Sequence, residues 1–367
     1  MDNRAGARGG FGMKWRFHDA SRFADLAPAW RELHAAGSAS PLLHADFVQA
    51  LLDAFGDGDE LLACCERDDV VLAMTLLARR GGGAWSSFQP AQAPIGLWLA
   101  RPGVALDGLM ASLLRDLPGC ALLAGISQLD PMLDPRPRHD PHLATLDYID
   151  TARITLGGDF DAYWEERGKN LRGNLKKQRA RLAREGVAVR IEACHAEPDM
   201  TRAVDDYALL ESGGWKGRAA TAVRGGDAQA RFYRALLEAF ARRGAARVYR
   251  YWFDERLAAM DLCIDGPDCC VVLKTAYDEA IPAHYSPALL MREEACRALF
   301  AEPGLARIEF YGRVMEWHLR WTNEVRCLYH LNYYRWPMLK RLHALGRRRG
   351  GAEQAQPPME QSCISKK

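Results

Sequence analysis

Residues 273–300 read LKTAYDEAIPAHYSPALLMREEACRALF: an apolar run gives way to a polar loop, and a helix begins at Ser286-Pro287. Serine at the N-cap and proline at the first helical position form a physically matched pair. The first amides of a helix have no internal partner, and proline lacks one to begin with. A strand running into such a helix start can offer bare backbone N–H groups to an anion, with the helix dipole adding to the attraction. The loop is therefore a candidate anion cradle, and the bland alternative is a capped helix that binds only water. Ten cysteines include the adjacent pairs Cys64-Cys65 and Cys269-Cys270 inside apolar runs, without any CxxC. That argues against a zinc site of the usual kind and against a disulfide framework.

The elements around the loop follow from pattern. Leu289, Leu290, Cys296, Leu299 and Phe300 give the helix an apolar face, and Arg292, Glu294 and Arg297 are expected in solvent. With CCVVLKTAY before it and ARIEFYG after it, the helix is expected to make a parallel crossover covering one face of a sheet. Further upstream, the helix AQARFYRALLEAFARRG precedes strands AARVYRYWFD and LAAMDLCID. The first half has the same order: helices LAPAWRELHAAG and PLLHADFVQALLDAFG, then strands ELLACCERD and VVLAMTLLARR about an Asp68-Asp69 turn. LDGLMASLLRDL and CALLAGIS add a helix and a buried strand. The order suggests a duplicated α/β unit.

A chain of 367 residues has room for two domains, and 49% apolar with 26% charged residues is the balance of a folded protein. Lys plus Arg (49) nearly equals Asp plus Glu (47), so the overall field selects no polyanion. No stretch reads as a signal peptide or a membrane span, and a cytoplasmic location is expected. Charge is concentrated locally in the helix around 167–184, with Arg172, Lys176, Lys177, Arg179, Arg181 and Arg184, closed by Gly186. It suits RNA phosphates, an anionic sugar-phosphate, a lipid or membrane surface, or simply water.

Three segments resemble a known family. ESGGWKGRAATA is similar to an E-x-x-x-WKG-x-x-x-TA segment at Glu211, Trp215, Lys216, Gly217, Thr221 and Ala222. LKTAYDEAIPAHYSPALL resembles K-x-AYDE-x-x-x-x-x-SPG-x-L at Lys274, Ala276 to Glu279, Ser286, Pro287 and Leu290, and WHLRW resembles an aromatic-basic-x-x-Trp ending. The family is that of the CelD-like acetyltransferases, related to FemABX transferases within the GNAT superfamily. PLLHADFVQALLDAF resembles its opening helix, so the likeness spans most of residues 20–335. Three departures stand out: Ala288 replaces the glycine after Ser-Pro, the Gly-x-Gly/Ala signature of simpler GNAT enzymes is absent, and His318 stands where lysine is common.

The resemblance implies an α/β (α+β) fold of two tandem GNAT-like units with mixed central sheets flanked by helices. The expected division is an N-terminal, non-catalytic unit over 14–155, an acyltransferase unit over 156–340 and a disordered tail over 346–367. It implies acetyl-CoA or another acyl-CoA as co-substrate, no metal, and an amine acceptor such as an amino sugar or an envelope or exopolysaccharide precursor. The expected acyl-CoA site comprises Lys274, Ala276, Tyr277, His284, Tyr285, Ser286, Pro287, Ala288, Leu289 and Leu290. Trp215, Lys216, Trp317 and Trp321 are candidates for the acceptor. Direct attack of an amine on a thioester needs a proton acceptor and a donor for the leaving thiolate. Glu316 and His318 are the first candidates, then Asp278, with Glu279 and His284 behind them and Tyr311 or Tyr277 as the donor. A FemX-like aminoacyl-tRNA donor and a non-catalytic binding module are the alternatives, and a peripheral membrane contact stays open.

Overall fold

The computed structural model describes residues 12–37, 39–138, 140–212 and 226–349. The first half contributes strands β1 (Lys14–Asp19), β2 (Leu61–Arg67), β3 (Val70–Gly81), β4 (Ala84–Ser87), β5 (Trp98–Ala100), β6 (Leu123–Leu129) and β7 (Leu143–Thr155). The second contributes β8 (Val189–Cys194), β9 (Ala246–Phe253), β10 (Arg256–Asp265), β11 (Cys269–Tyr277), β12 (Arg307–Phe310) and β13 (Val325–Tyr334). All belong to one sheet.

Read inward from its two ends, the sheet runs β1-β2-β3-β4-β6 and β8-β9-β10-β11-β12. In each series the last pair is parallel, β4 with β6 and β11 with β12, and the preceding pairs are antiparallel. The duplicated unit expected from element order is therefore present in strand pairing as well. The Asp68-Asp69 turn also forms, with φ of 52° and 61°, the left-handed pair that a two-residue hairpin needs. Between the two series the closing strands change places. β13 pairs with β6 of the first unit, and β7 pairs with β12 of the second. β13 and β7 then pair with each other, so hydrogen bonds run across the expected boundary after residue 155.

Helices α1 (Phe23–Ala36), α2 (Ala45–Phe55), α3 (Leu106–Asp116), α4 (Phe160–Glu165), α5 (Lys169–Arg184), α6 (Glu197–Ser212) and α7 (Ala228–Ala241) come next in chain order. After them are α8 (Pro287–Phe300), the single turn α9 (Glu316–Leu319) and α10 (Pro337–Arg349), whose last four residues fall in the stretch expected to be a tail. One apolar cluster joins α1 and α2 of the first unit to α6 and α7 of the second, with Phe47 and Phe232 rings 5.7 Å apart edge-on. Fully burying such a side chain is worth about 1.5–3 kcal/mol. α3 packs on the opposite face of the first unit, and α5 and α8 pack on the corresponding face of the second.

In the second unit β11 and β12 are hydrogen-bonded only through Cys269↔Arg307, Cys270↔Ile308 and Val271↔Glu309. Beyond Val271 they part, so that the two strands diverge as a V. The equivalent opening of the first unit is filled. There the β4 ladder reaches Ser87↔Leu77, the chain leaves at residue 89 and returns as β5, which resumes the same register at Trp98↔Thr75. The excursion buries Ala93, Ile95 and Leu97. It is fastened to β6 by Gly96 N–H donating to the Gln128 carbonyl at 3.0 Å. A Cβ on Gly96 would lie 2.2 Å from the Ser127 carbonyl oxygen, so only glycine permits this approach.

Two expectations about α8 are corrected. Ser286 precedes the helix as expected, but it adopts the left-handed region (φ 43°, ψ 59°) and its side chain does not cap; the hydroxyl donates to the Ala283 carbonyl at 3.0 Å. Arg292 is not in solvent. It is 3% exposed and lies 2.8 Å from the carboxylate of Asp261, itself fully buried on β10. A buried anion facing the helix draws in a cation that periodicity alone assigns to water.

Candidate functional site

At the N-terminus of α8 a cleft of about 880 Å³ opens between that helix and α5. Leu171, Leu175, Ile281 and Leu289 give it an apolar floor, and Lys177, Arg181 and Arg320 a basic rim. Asn170, Asn174, Gln178 and Arg181 recur at the three-to-four-residue spacing of one helix face, which is why α5 presents them together. The other face of α5 is spoken for: Arg179 bonds Glu293 (2.9 Å) and Glu294 (2.5 Å) on α8, fixing the width of the cleft. Arg172 donates to the Arg167 carbonyl at 3.1 Å. Of the six basic residues, Arg172 and Arg179 are thus used in docking and Lys177 and Arg181 in lining the cleft, with Lys176 and Arg184 exposed.

The turn leaves few amides for a ligand. Tyr285 N–H donates to the Pro282 carbonyl, Leu289 and Leu290 both donate to the Ser286 carbonyl, and Pro287 has no N–H. From Tyr285 to Leu290 the amides without a partner among the described residues are those of Ser286 and Ala288, and both residues line the cleft. Ala288, where the family has glycine, is helical and 4% exposed, so its methyl strains nothing. The strained position is Ser286, at a cost of order 1 kcal/mol. Two open amides at the positive end of a helix of fourteen residues, opposite Lys177 and Arg181, suit a phosphate or diphosphate.

Of the expected acyl-CoA residues, Tyr277, His284, Ser286, Pro287, Ala288 and Leu289 line this cleft. Tyr285 turns to the neighbouring hollow, where its hydroxyl bonds the Glu185 carboxylate at the end of α5. Leu290 is in the core beneath α8. Lys274 and Ala276 face the opposite side of the sheet, with the Lys274 ammonium 5.8 Å from the centre of the Tyr233 ring. Trp215 and Lys216 lie outside the described residues. Glu211, just before them, is 5% exposed and accepts from the Tyr207 hydroxyl at 3.1 Å.

The candidate acid–base groups are dispersed. Asp278 caps its own turn, accepting from Ala280 N–H at 2.9 Å and from Arg256 Nε at 2.7 Å. Tyr311 donates to Asp130 Oδ2 at 3.0 Å, within a buried network in which Arg326 bridges Asp130 and Glu309, both at 2.8 Å. Burial and the Asp130 charge push the Tyr311 hydroxyl well above its ordinary range. Trp317 and Trp321 are packed in the core, 6% and 0% exposed. Glu316 is exposed in the first turn of α9 and has no bonded partner among the described residues.

His318 is 1% exposed, its ring stacked 3.6 Å from that of Trp317. Nδ1 accepts from Met315 N–H at 2.9 Å, and Nε2 has no partner. Burial, with Arg292 nearby, lowers its pKa to about 3, so it is neutral at pH 7. The unfolded chain protonates this histidine in the ordinary range and the folded chain does not. Its contribution is therefore complete above the unfolded value and drains away as pH falls toward the folded one. By about pH 4.5 the loss is on the order of 2–3 kcal/mol. His318→Phe should flatten that acid limb, measured as urea stability across the range; an unchanged limb refutes the assignment.

Among the described residues, no cluster of three His, Cys, Asp or Glu could hold a metal, and no helix is long and apolar enough to cross a membrane.

Residues 169–319 match the family model described as the acetyltransferase (GNAT) domain. No curated protein matches the chain in sequence. Among solved structures, the chain is similar to the C-terminal (DUF2156) domain of a proposed lysylphosphatidylglycerol synthetase from Agrobacterium fabrum. The TM-score is 0.54 at 13% identity, covering 88% of this chain and 95% of that one. It is also similar to a conserved protein of unknown function from Bacteroides thetaiotaomicron VPI-5482, with a TM-score of 0.55 at 11% identity, covering 87% and 99%. Helices α5 and α8 and both strands of the V fall inside the matched residues.

Proposed function

We propose that the protein is an acyl-CoA-dependent N-acyltransferase whose second unit binds the donor. The carrying observation is the asymmetry within one chain: in the first unit residues 89–97 fill the V, whereas in the second β11 and β12 part after Val271 without such an insertion, next to a cleft with a basic rim and two amides that have no partner among the described residues. Support comes also from the GNAT domain match over the same residues.

In this reading the Ser286 and Ala288 amides and the positive end of α8 hold the diphosphate of the donor, and Lys177 and Arg181 neutralise the remaining phosphate charge. Leu171, Leu175, Ile281 and Leu289 cover its aliphatic arm and exclude water. The thioester reaches the gap beyond Val271. The acceptor nitrogen attacks the thioester carbon, the C–S bond breaks with the sulfur keeping the electron pair, and the nitrogen proton leaves for Glu316 directly or through water. The thiolate takes a proton to become free thiol. Glu316 is exposed and makes no side-chain hydrogen bond, ion pair or ring contact among the described residues.

The acceptor is read as an amino sugar or an envelope or exopolysaccharide precursor. Titration with acetyl-CoA should raise the thermal midpoint with saturation at about micromolar concentration. Thiol release should require both the donor and an amine. Indifference to acetyl, longer acyl and free CoA alike would refute the reading, and stabilisation by aminoacyl-tRNA instead would move the fold to a different donor.

A further inference from the structure

α10 is the one helix of the described residues that turns a row of large apolar side chains outward. Met338 is 65% exposed, Leu342 56%, Leu345 54%, and Trp336 just before the helix 50%. At 3.6 residues per turn, Met338, Leu342 and Leu345 fall within an arc of about 60°. Single exposed leucines are ordinary, but a row of them on one helix face marks a contact. Tyr334 Oη lies 2.6 Å from His343 Nδ1, and Lys340 Nζ donates to the Asp140 carbonyl at 2.8 Å, so the helix is fastened by its other side.

Charge decides what the row contacts. Between residues 335 and 349 the sequence holds not one Asp or Glu; Arg335 and Lys340 are bonded inward to backbone carbonyls, and the sequence adds Arg341, Arg347, Arg348 and Arg349, in a chain whose net charge is only +2. A row of apolar side chains flanked by cations with no anion matches the boundary of an anionic lipid layer. The leucines enter the acyl edge, the cations meet phosphates, and a tryptophan at the helix start suits the headgroup level. We propose that α10 lies in the plane of an anionic phospholipid surface and docks the protein there. Docking through α10 does not depend on acyl-CoA binding and would hold whatever chemistry the cleft performs.

The test is sedimentation of the full chain with vesicles of phosphatidylcholine, with or without phosphatidylglycerol. The bound fraction should rise at least about tenfold with phosphatidylglycerol and fall with salt. The double substitution Leu342→Glu and Leu345→Glu should abolish it, and Arg341→Glu should weaken it about fivefold. All three positions are exposed, so circular dichroism and the thermal midpoint should match the parent chain. Equal binding to both vesicle types, or undiminished binding by the double variant, overturns the proposal. So does a dimer in light scattering that the double variant disperses while vesicles bind nothing, because the row would then be a contact between copies.

Discussion

Replacing Arg292 with leucine is expected to destabilise the protein by about 3–5 kcal/mol, the usual consequence of leaving a buried charge without its partner. The pair is closed from every side. Arg292 is 3% exposed and Asp261 0%, the Arg292 Nη2 donates to Thr275 Oγ1 at 3.1 Å, and that hydroxyl donates to Asp261 Oδ1 at 2.6 Å. The guanidinium also lies 5.2 Å from the centre of the Phe310 ring. Burial pushes the Asp261 carboxyl above its ordinary range, and Arg292 opposes that shift. Without Arg292 the opposition is gone and the folded value rises further. A carboxyl whose folded pKa is raised favours the fold most below the ordinary carboxylate range and loses that advantage as pH climbs through the folded value. The deficit of Arg292→Leu should therefore be largest near neutrality and shrink on acidification, measured by urea unfolding. A deficit under about 1 kcal/mol, or one that does not change with pH, would mean that the pair carries little of the stability. Substituting Asp261→Leu in the same chain should recover much of the loss.

The second large effect is on binding. Reversing Lys177→Glu and Arg181→Glu together should weaken acetyl-CoA binding by about a hundredfold or more, read by calorimetry. The two side chains stand across the cleft from the Ser286 and Ala288 amides, so reversal places two carboxylates against any phosphate held there. Lys177 is exposed and Arg181 half-buried, and neither forms an ion pair among the described residues, so the unliganded thermal midpoint should stay within a degree or two. Salt separates this from a steric effect. Affinity of the parent chain should fall as ionic strength rises, and the reversed variant should lose that dependence or invert it. Unchanged affinity would remove α5 from the donor site.

How much of this was legible in the sequence depended on whether the cause was local. Ser286-Pro287 marked the helix start correctly because proline's fixed geometry and missing N–H act within one residue. The parallel crossover was legible from its strand-helix-strand order, and the Asp68-Asp69 hairpin from its two turn residues. The left-handed Ser286 was not, since serine is ordinarily read as a side-chain cap. Arg292 was misread because its partner Asp261 comes from another strand. The basic helix is plain in the sequence, but its division into Arg179 holding α8 and Lys177 with Arg181 facing the cleft depends on where α8 packs. A signal existed in the spacing of Asn170, Asn174, Gln178 and Arg181. The filling of the first V had no such signal: residues 89–97 look like a proline- and glycine-bearing loop, and only the resumed register at Trp98 reveals them as an insertion within one strand.

The swapped closing strands have a practical outcome for anyone dissecting this molecule. A fragment starting at residue 156 would lack β7, leaving β12 with a bare edge along Arg307–Phe310 and β13 without a neighbour on either side. A fragment ending at 155 would lose β13 from β6 and strip Arg326 from Asp130. Such ends invite pairing with other chains. Neither half should survive as an independent soluble piece, because removing either unit unzips the closing strand of the other.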